Sequence, residues 1–147
     1  MPLYEKLAAH NSVQVDFTLQ TLEKRRYLSS SAALEPIARN AVMHRAYEST
    51  NVRNESPRRV YWYQDRIEIC NHGGPHGNVT IQNFGEPGYA DYRNPNVAEA
   101  MRVLGLVQRF GAGIQTAQAA LRDNGSPALK FRVEATMVFV TLLPVVA

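Results

Sequence analysis

Apolar positions recur at helical spacing over residues 13–28, where Val13, Phe17, Leu19, Leu22 and Leu28 make most of a stripe, and this predicts a first helix. The run Ser29-Ser30-Ser31 breaks the stripe and offers hydroxyls to cap a second helix. That helix is expected to reach about Tyr47, with Ile37, Ala38, Ala41 and Val42 facing inward. Pro36 is placed in its first turn, because a proline deeper inside loses a hydrogen bond and clashes with the preceding turn. A polar linker, residues 48–57, leads to two β-rich runs, Val60-Tyr61-Trp62-Tyr63 and Ile67-Glu68-Ile69-Cys70, which read as a hairpin.

Residues 71–93 carry no periodicity and hold Gly73, Gly74, Gly77, Gly85 and Gly88. So long an irregular stretch inside a domain is a functional or a mobile loop. Asn94-Pro95 pairs a cap with a proline at the first helical position, so a helix starts there and runs to about Leu104. Another follows Gly113 and ends near Asn124-Gly125. Two strands close the chain, residues 129–133 and 137–143, the last apolar on both faces as a central strand is. Helices and antiparallel strands in separate blocks predict an α+β fold, a two-layer sandwich.

Composition adds limits more than direction. At 147 residues, with 45% hydrophobic and 20% charged residues, the chain fits one soluble domain over residues 1–147. A net charge of +3 tolerates an anionic ligand or nearby DNA without demanding either. The basic clusters Lys24-Arg25-Arg26 and Arg53 with Arg58-Arg59 read as solvated faces, with direct DNA binding as the rival. The lone cysteine, Cys70, excludes an internal disulfide. No segment has the length of a membrane span or the order of a signal peptide, so a cytoplasmic location is expected.

Three segments carry candidate chemistry. Asn40 and His44 stand four apart on the second helix and share a face displaced from the apolar stripe. An asparagine amide oxygen is a hard, neutral ligand suited to Mg²⁺; the plainer alternative is a hydrogen-bonded surface pair. In the second segment, Asn71-His72-Gly73-Gly74, a strand runs straight into paired glycines, whose missing Cβ atoms let backbone approach a ligand. There Asn71 stands at the strand end, where it would hydrogen-bond the amino edge of a base; an ordinary glycine turn is the alternative. The third, Gly111-Ala112-Gly113, precedes a helix and exposes N–H groups where the helix dipole also favours phosphate. Cys70, His72 and His76 fall short of a zinc site, which needs four ligands at paired spacings.

In order and spacing these segments resemble the C-terminal ATPase-like domain of RecG-related transcriptional regulators, which is related to the GHKL ATPases. The likeness is carried by Asn40-Ala41-Val42-Met43-His44-Arg45-Ala46-Tyr47, by Asp65-Arg66-Ile67-Glu68-Ile69 and by Asn71-His72-Gly73-Gly74. It continues through Arg93-Asn94-Pro95 with Ala98, then Leu104-Gly105-Leu106 ahead of Arg109-Phe110-Gly111-Ala112-Gly113-Ile114. The resemblance implies a GHKL-type sandwich, mostly antiparallel, with helices on one face. It implies that Asn40 holds Mg²⁺ with His44 beside it, and that Asn71, Gly73 and Gly74 face adenine. Gly111 and Gly113 would lie near the phosphates, with residues 74–92 as a lid-like loop.

The same resemblance implies an ATP-binding regulatory domain, a fragment of a larger regulator whose DNA-binding region is attached elsewhere; a homodimer is a separate expectation. Where GHKL enzymes place a catalytic Glu four residues before the Mg²⁺-binding Asn, this chain has Pro36, and Glu35 lies one residue further back. Five residues turn a helix by about 140° and four by about 40°, so Glu35 is expected to point away and hydrolysis to be weak or lost. The alternative expectation is a degenerate module that binds no nucleotide and serves dimerisation or partner docking.

Overall fold

In the computed structural model the described residues are 5–6, 9, 13–16, 24–27, 30–47, 59–107 and 111–145. The first helix expected at residues 13–28 is not found: β1 (Val13–Asp16) and β2 (Lys24–Tyr27) pair antiparallel, with Val13 opposite Tyr27. The sequence Val-Gln-Val-Asp alternates with the strand period of two, and valine's branched side chain favours strand over helix. Leu19, Leu22 and Leu28, which completed the helical stripe, lie outside the described residues, as does the linker at residues 48–57.

The second expected helix exists as α1 (Ser31–Met43) and stops short of Tyr47. Ser30 is its N-cap, but by backbone alone: its carbonyl accepts from Ala33 and Leu34 while its hydroxyl makes no cap bond. Pro36 is not in the first turn; it is the sixth residue of a continuous helix, so the carbonyl of Ala32 lacks its usual N–H donor. Beyond Met43 the chain leaves the helix to pair with a strand end, Ala46 N–H donating to the His72 carbonyl at 2.9 Å.

Four strands form one antiparallel sheet in the order β3-β4-β6-β5: β3 (Arg59–Trp62), β4 (Ile67–His72), β5 (Lys130–Val133) and β6 (Met137–Leu142). The apolar last strand is interior, as its two-faced pattern predicts. Two further helices, α2 (Pro95–Val103) and α3 (Gly113–Asn124), begin at the expected Pro and Gly signals. Gly125 ends α3 in the left-handed conformation at φ 73°, a conformation glycine adopts without Cβ strain.

Helices α1 and α3 lie together on one face of the sheet. Leu34 and Leu121 are both 0% exposed and meet Ile67, Ile69 and Leu142, while Ala33 and Ala117 keep the contacts close. Each fully buried leucine contributes about 1.5–3 kcal/mol relative to exposure. Helix α2 builds a smaller cluster, Ala98 and Met101 on Met43 at the end of α1.

Candidate functional site

The helix-facing side of β4 and β6 consists of three cross-strand pairs, Ile67 with Leu142, Ile69 with Val140 and Asn71 with Val138. The first pair is core. At the third the layers separate and leave a cavity of about 460 Å³, within the size range of small-molecule sites. Asn71 is only 8% exposed, lines this cavity, and its amide oxygen is buried without a hydrogen-bond partner. An orphaned buried acceptor costs about 1–3 kcal/mol, so a ligand donor has a ready place there.

On the helix side, Ala32, Pro36, Asn40 and His44 form a stripe at four-residue spacing along α1, and all four line the cavity. Asn40 reaches across to α3: a Cβ built on Gly113 would lie 2.5 Å from its Oδ1 and 2.9 Å from its Nδ2. Only glycine admits that amide against the first residue of α3. Gly111 is likewise tight, with φ 74° and 3.0 Å between a would-be Cβ and the Ala90 methyl. Both glycines face the cavity from the N-terminal end of α3, where unpaired N–H groups and the helix dipole favour an anion.

Gly73 and Gly74 complete the opposite wall. Gly73 has φ 100°, and a Cβ there would meet Ala46 at 3.0 Å. At Gly74 a Cβ would fall 2.0 Å from the Ala135 carbonyl oxygen. All seven predicted binding residues, on four separate elements and loops, therefore converge on one space. Against the expectation that it points away, Glu35 also lines the cavity, though its carboxylate is held in an ion pair with Arg39 one turn along the helix. The regularity of α1 through Pro36 gives no bulge to swing Glu35 onto the stripe of Asn40.

Residues 74–92 form a folded loop, many of whose residues line the cavity. Asp91 accepts hydrogen bonds from the Asn78 N–H at 3.1 Å and the Tyr92 N–H at 2.8 Å, which hold its carboxyl below the usual range. Asn83 clips the loop internally, accepting from Thr80 N–H at 2.6 Å and donating to the Asn78 carbonyl at 3.0 Å. Phe84 packs edge-on against Phe131 of β5, and Gln115 of α3 donates to the Gly85 carbonyl at 3.4 Å.

The two ends of the loop meet at the end of α1. Arg93 donates to the Gly74 carbonyl at 3.2 Å, and the Asn94 amide donates to the carbonyls of Met43 at 2.9 Å and Arg45 at 2.6 Å. Asn94 thus starts α2 by its backbone while its side chain satisfies the end of α1. Tyr92 stacks on His44 with ring centroids 5.5 Å apart, and burial raises its phenol above the usual value. His44 is pushed the other way, its pKa lowered first by burial and then by the charges of Arg93 and His76.

Sequence reasoning missed Asp91, Tyr92, Arg93 and Gln115 as site residues. The Arg93-Asn94-Pro95 run was legible as a helix start and as part of the family likeness, without a role at the site, and nothing local marks the other three. Among the described residues no group of three or more His, Cys, Asp or Glu side chains forms a cation cage. A cation here would depend on Asn40 together with oxygens brought by the ligand, an arrangement that suits Mg²⁺.

The profile of the family described as "Putative ATP-dependent DNA helicase recG C-terminal" matches residues 55–142. The matched span includes both glycine pairs and Asn71, while Asn40 and His44 precede it. No curated protein matches the chain. Among solved structures, the DIP2311 protein from Corynebacterium diphtheriae superposes over 97% of this chain with a TM-score of 0.82 at 22% sequence identity. This chain spans 28% of that protein's length. At that identity the likeness speaks for the fold.

Proposed function

We propose that this chain, which belongs to the RecG C-terminal family of ATPase-like domains, binds ATP with Mg²⁺ and hydrolyses it weakly or not at all. The observation that carries the reading is the single cavity in which the Asn40 amide presses on Gly113 while Asn71 and the Gly73-Gly74 pair form the far wall. Its two ends differ in chemistry. Around Asn71 the floor is Ile69, Val138 and Val140, apolar with one amide, which suits a flat base with one polar edge. Around Gly111 and Gly113 it is backbone N–H at a helix start, which suits phosphates.

Asn40 would give Mg²⁺ one oxygen, leaving phosphate oxygens and water to complete the octahedron, and the ion would neutralise phosphate charge. His44, kept uncharged by burial, offers a neutral ring beside Asn40. The position one turn before Asn40 is Pro36, which has no group to polarise water, and Glu35 is engaged by Arg39. Binding without efficient turnover follows. In a longer protein the bound state would be relayed to an attached DNA-binding region, which makes this a regulatory domain.

Raising Mg-ATP to about a hundred times its dissociation constant is expected to stabilise the fold by about 2.7 kcal/mol, read as a rise in thermal midpoint. No rise at millimolar nucleotide overturns the reading. A second reading, a docking or dimerisation module, is favoured by one observation: Tyr61 of β3, an edge strand among the described residues, and Tyr63 just beyond its end are exposed and stacked at 6.2 Å. It predicts a concentration-dependent mass in sedimentation that Tyr61→Lys abolishes.

A further inference from the structure

Asn71 is an unusual group to leave inside a binding cavity. It is 92% removed from solvent on a central strand, 8% being exposed, and neither end of its amide makes a side-chain hydrogen bond among the described residues. Its neighbours on the same face, Ile69, Val138 and Val140, have nothing to offer either end. Among the described residues, then, no side-chain or backbone partner fixes which way the amide points. A 180° turn about the last side-chain torsion exchanges donor and acceptor at almost no steric change, because the two ends have nearly the same shape.

The polar edge of a purine exists in two complementary forms. A 6-aminopurine presents a donor at position 6 and an acceptor at position 1; a 6-oxopurine presents an acceptor at 6 and a donor at 1. In one orientation an amide pairs with the first, and after the half-turn it pairs with the second. A carboxylate has no such freedom, since it accepts at both oxygens and repels an oxo group.

We propose that Asn71 is a permissive base-reading residue, so that the cavity takes 6-oxopurine nucleoside triphosphates as well as ATP. This rests on the nucleotide reading above and narrows it to a substrate class, purine nucleotides irrespective of the group at position 6.

The test compares Mg-ATP with Mg-ITP, which differ only along that edge, by calorimetric titration and thermal midpoint on the same chain and on N71D. For the unaltered chain the two affinities are expected to agree within about fivefold, and N71D to favour ATP by about tenfold or more, as loss of a hydrogen bond to a charged group predicts. A preference for ATP above about tenfold in the unaltered chain overturns the proposal. So does equal binding of both nucleotides to a folded N71D, since Asn71 would then not touch the base. If N71D does not fold, N71A replaces it and is expected to weaken ATP and ITP by the same factor; an unequal loss overturns the proposal. Absence of binding by ATP, ADP and ITP alike defeats the nucleotide reading itself, a different failure from selectivity.

Discussion

The two ends of one strand pair show how this domain divides its work. Where Ile67 faces Leu142 the helices rest on the sheet, and Leu34 and Leu121 fill the space completely. Four residues along, Asn71 faces Val138, and the same helices stand away from the same strands. The first end is closed by large apolar side chains, while around the second, glycines at positions 73, 74, 111 and 113 let the cavity walls pack closer to one another than a Cβ would allow.

Substitutions can break that comparison from either side. Leu34→Ala at the closed end is expected to cost about 3 kcal/mol, a fall in thermal midpoint of about 6–12 °C. If the midpoint stayed within 2 °C or so, the closed end would not be carrying the fold. Gly73→Ala is expected to cost about 2 kcal/mol, from a φ of 100° and a 3.0 Å approach to Ala46, measured by urea denaturation.

At Gly113 the two effects separate. Alanine there displaces the Asn40 amide, so Mg-ATP affinity should fall about tenfold or more in titration calorimetry, while stability without ligand moves by less than about 1 kcal/mol. Asn71→Val sharpens the contrast by extending the closed end: removing an orphaned amide from a strand should stabilise the empty protein by about 1 kcal/mol and weaken nucleotide binding. A destabilised valine variant would show that the amide has a partner in solution.

The smallest effect is electrostatic. The pKa of His44 is lowered in the folded protein, so below its unfolded value of about 6.5 the unfolded chain binds the proton first. Stability should therefore fall as pH drops through about 6.5 toward the folded value, with a slope of at most about 1.4 kcal/mol per pH unit. Urea midpoints between about pH 5 and 7.5 read this slope, and His44→Gln should flatten it.

Much of this arrangement was legible from residue order. The antiparallel sheet, the starts of α2 and α3 and the interior place of β6 follow from period-two runs, Asn94-Pro95, Gly113 and a two-faced apolar strand. The cavity-lining residues Asn40, Asn71 and the glycines were also singled out, because the order of their segments, more than any one of them, suggested a common site. What failed were judgements that needed a partner. Residues 13–28 read as a helix because leucines fit a stripe, whereas the strand pairing of Val13 to Asp16 depends on residues 24–27. Pro36 was placed by a local rule, and the helix carries on past it because Leu34, Ile37 and Ala41 are buried on the core side. Asp91 and Gln115 act on loop atoms distant in sequence, and no spacing rule reaches them.

The tie between Asn94 and the carbonyls at and just beyond the end of α1 has a consequence for how this scaffold tolerates change. Both feet of the cavity-lining loop are fastened at one spot, by Arg93 to Gly74 and by Asn94 to Met43 and Arg45. Its crest around Glu86 and Gly88 is exposed, and a Cβ built on Gly88 would meet nothing within 4 Å. Added residues, a fluorescent tag or even new chain termini at the crest leave the footing undisturbed, so the scaffold admits insertions there without losing the chamber beneath.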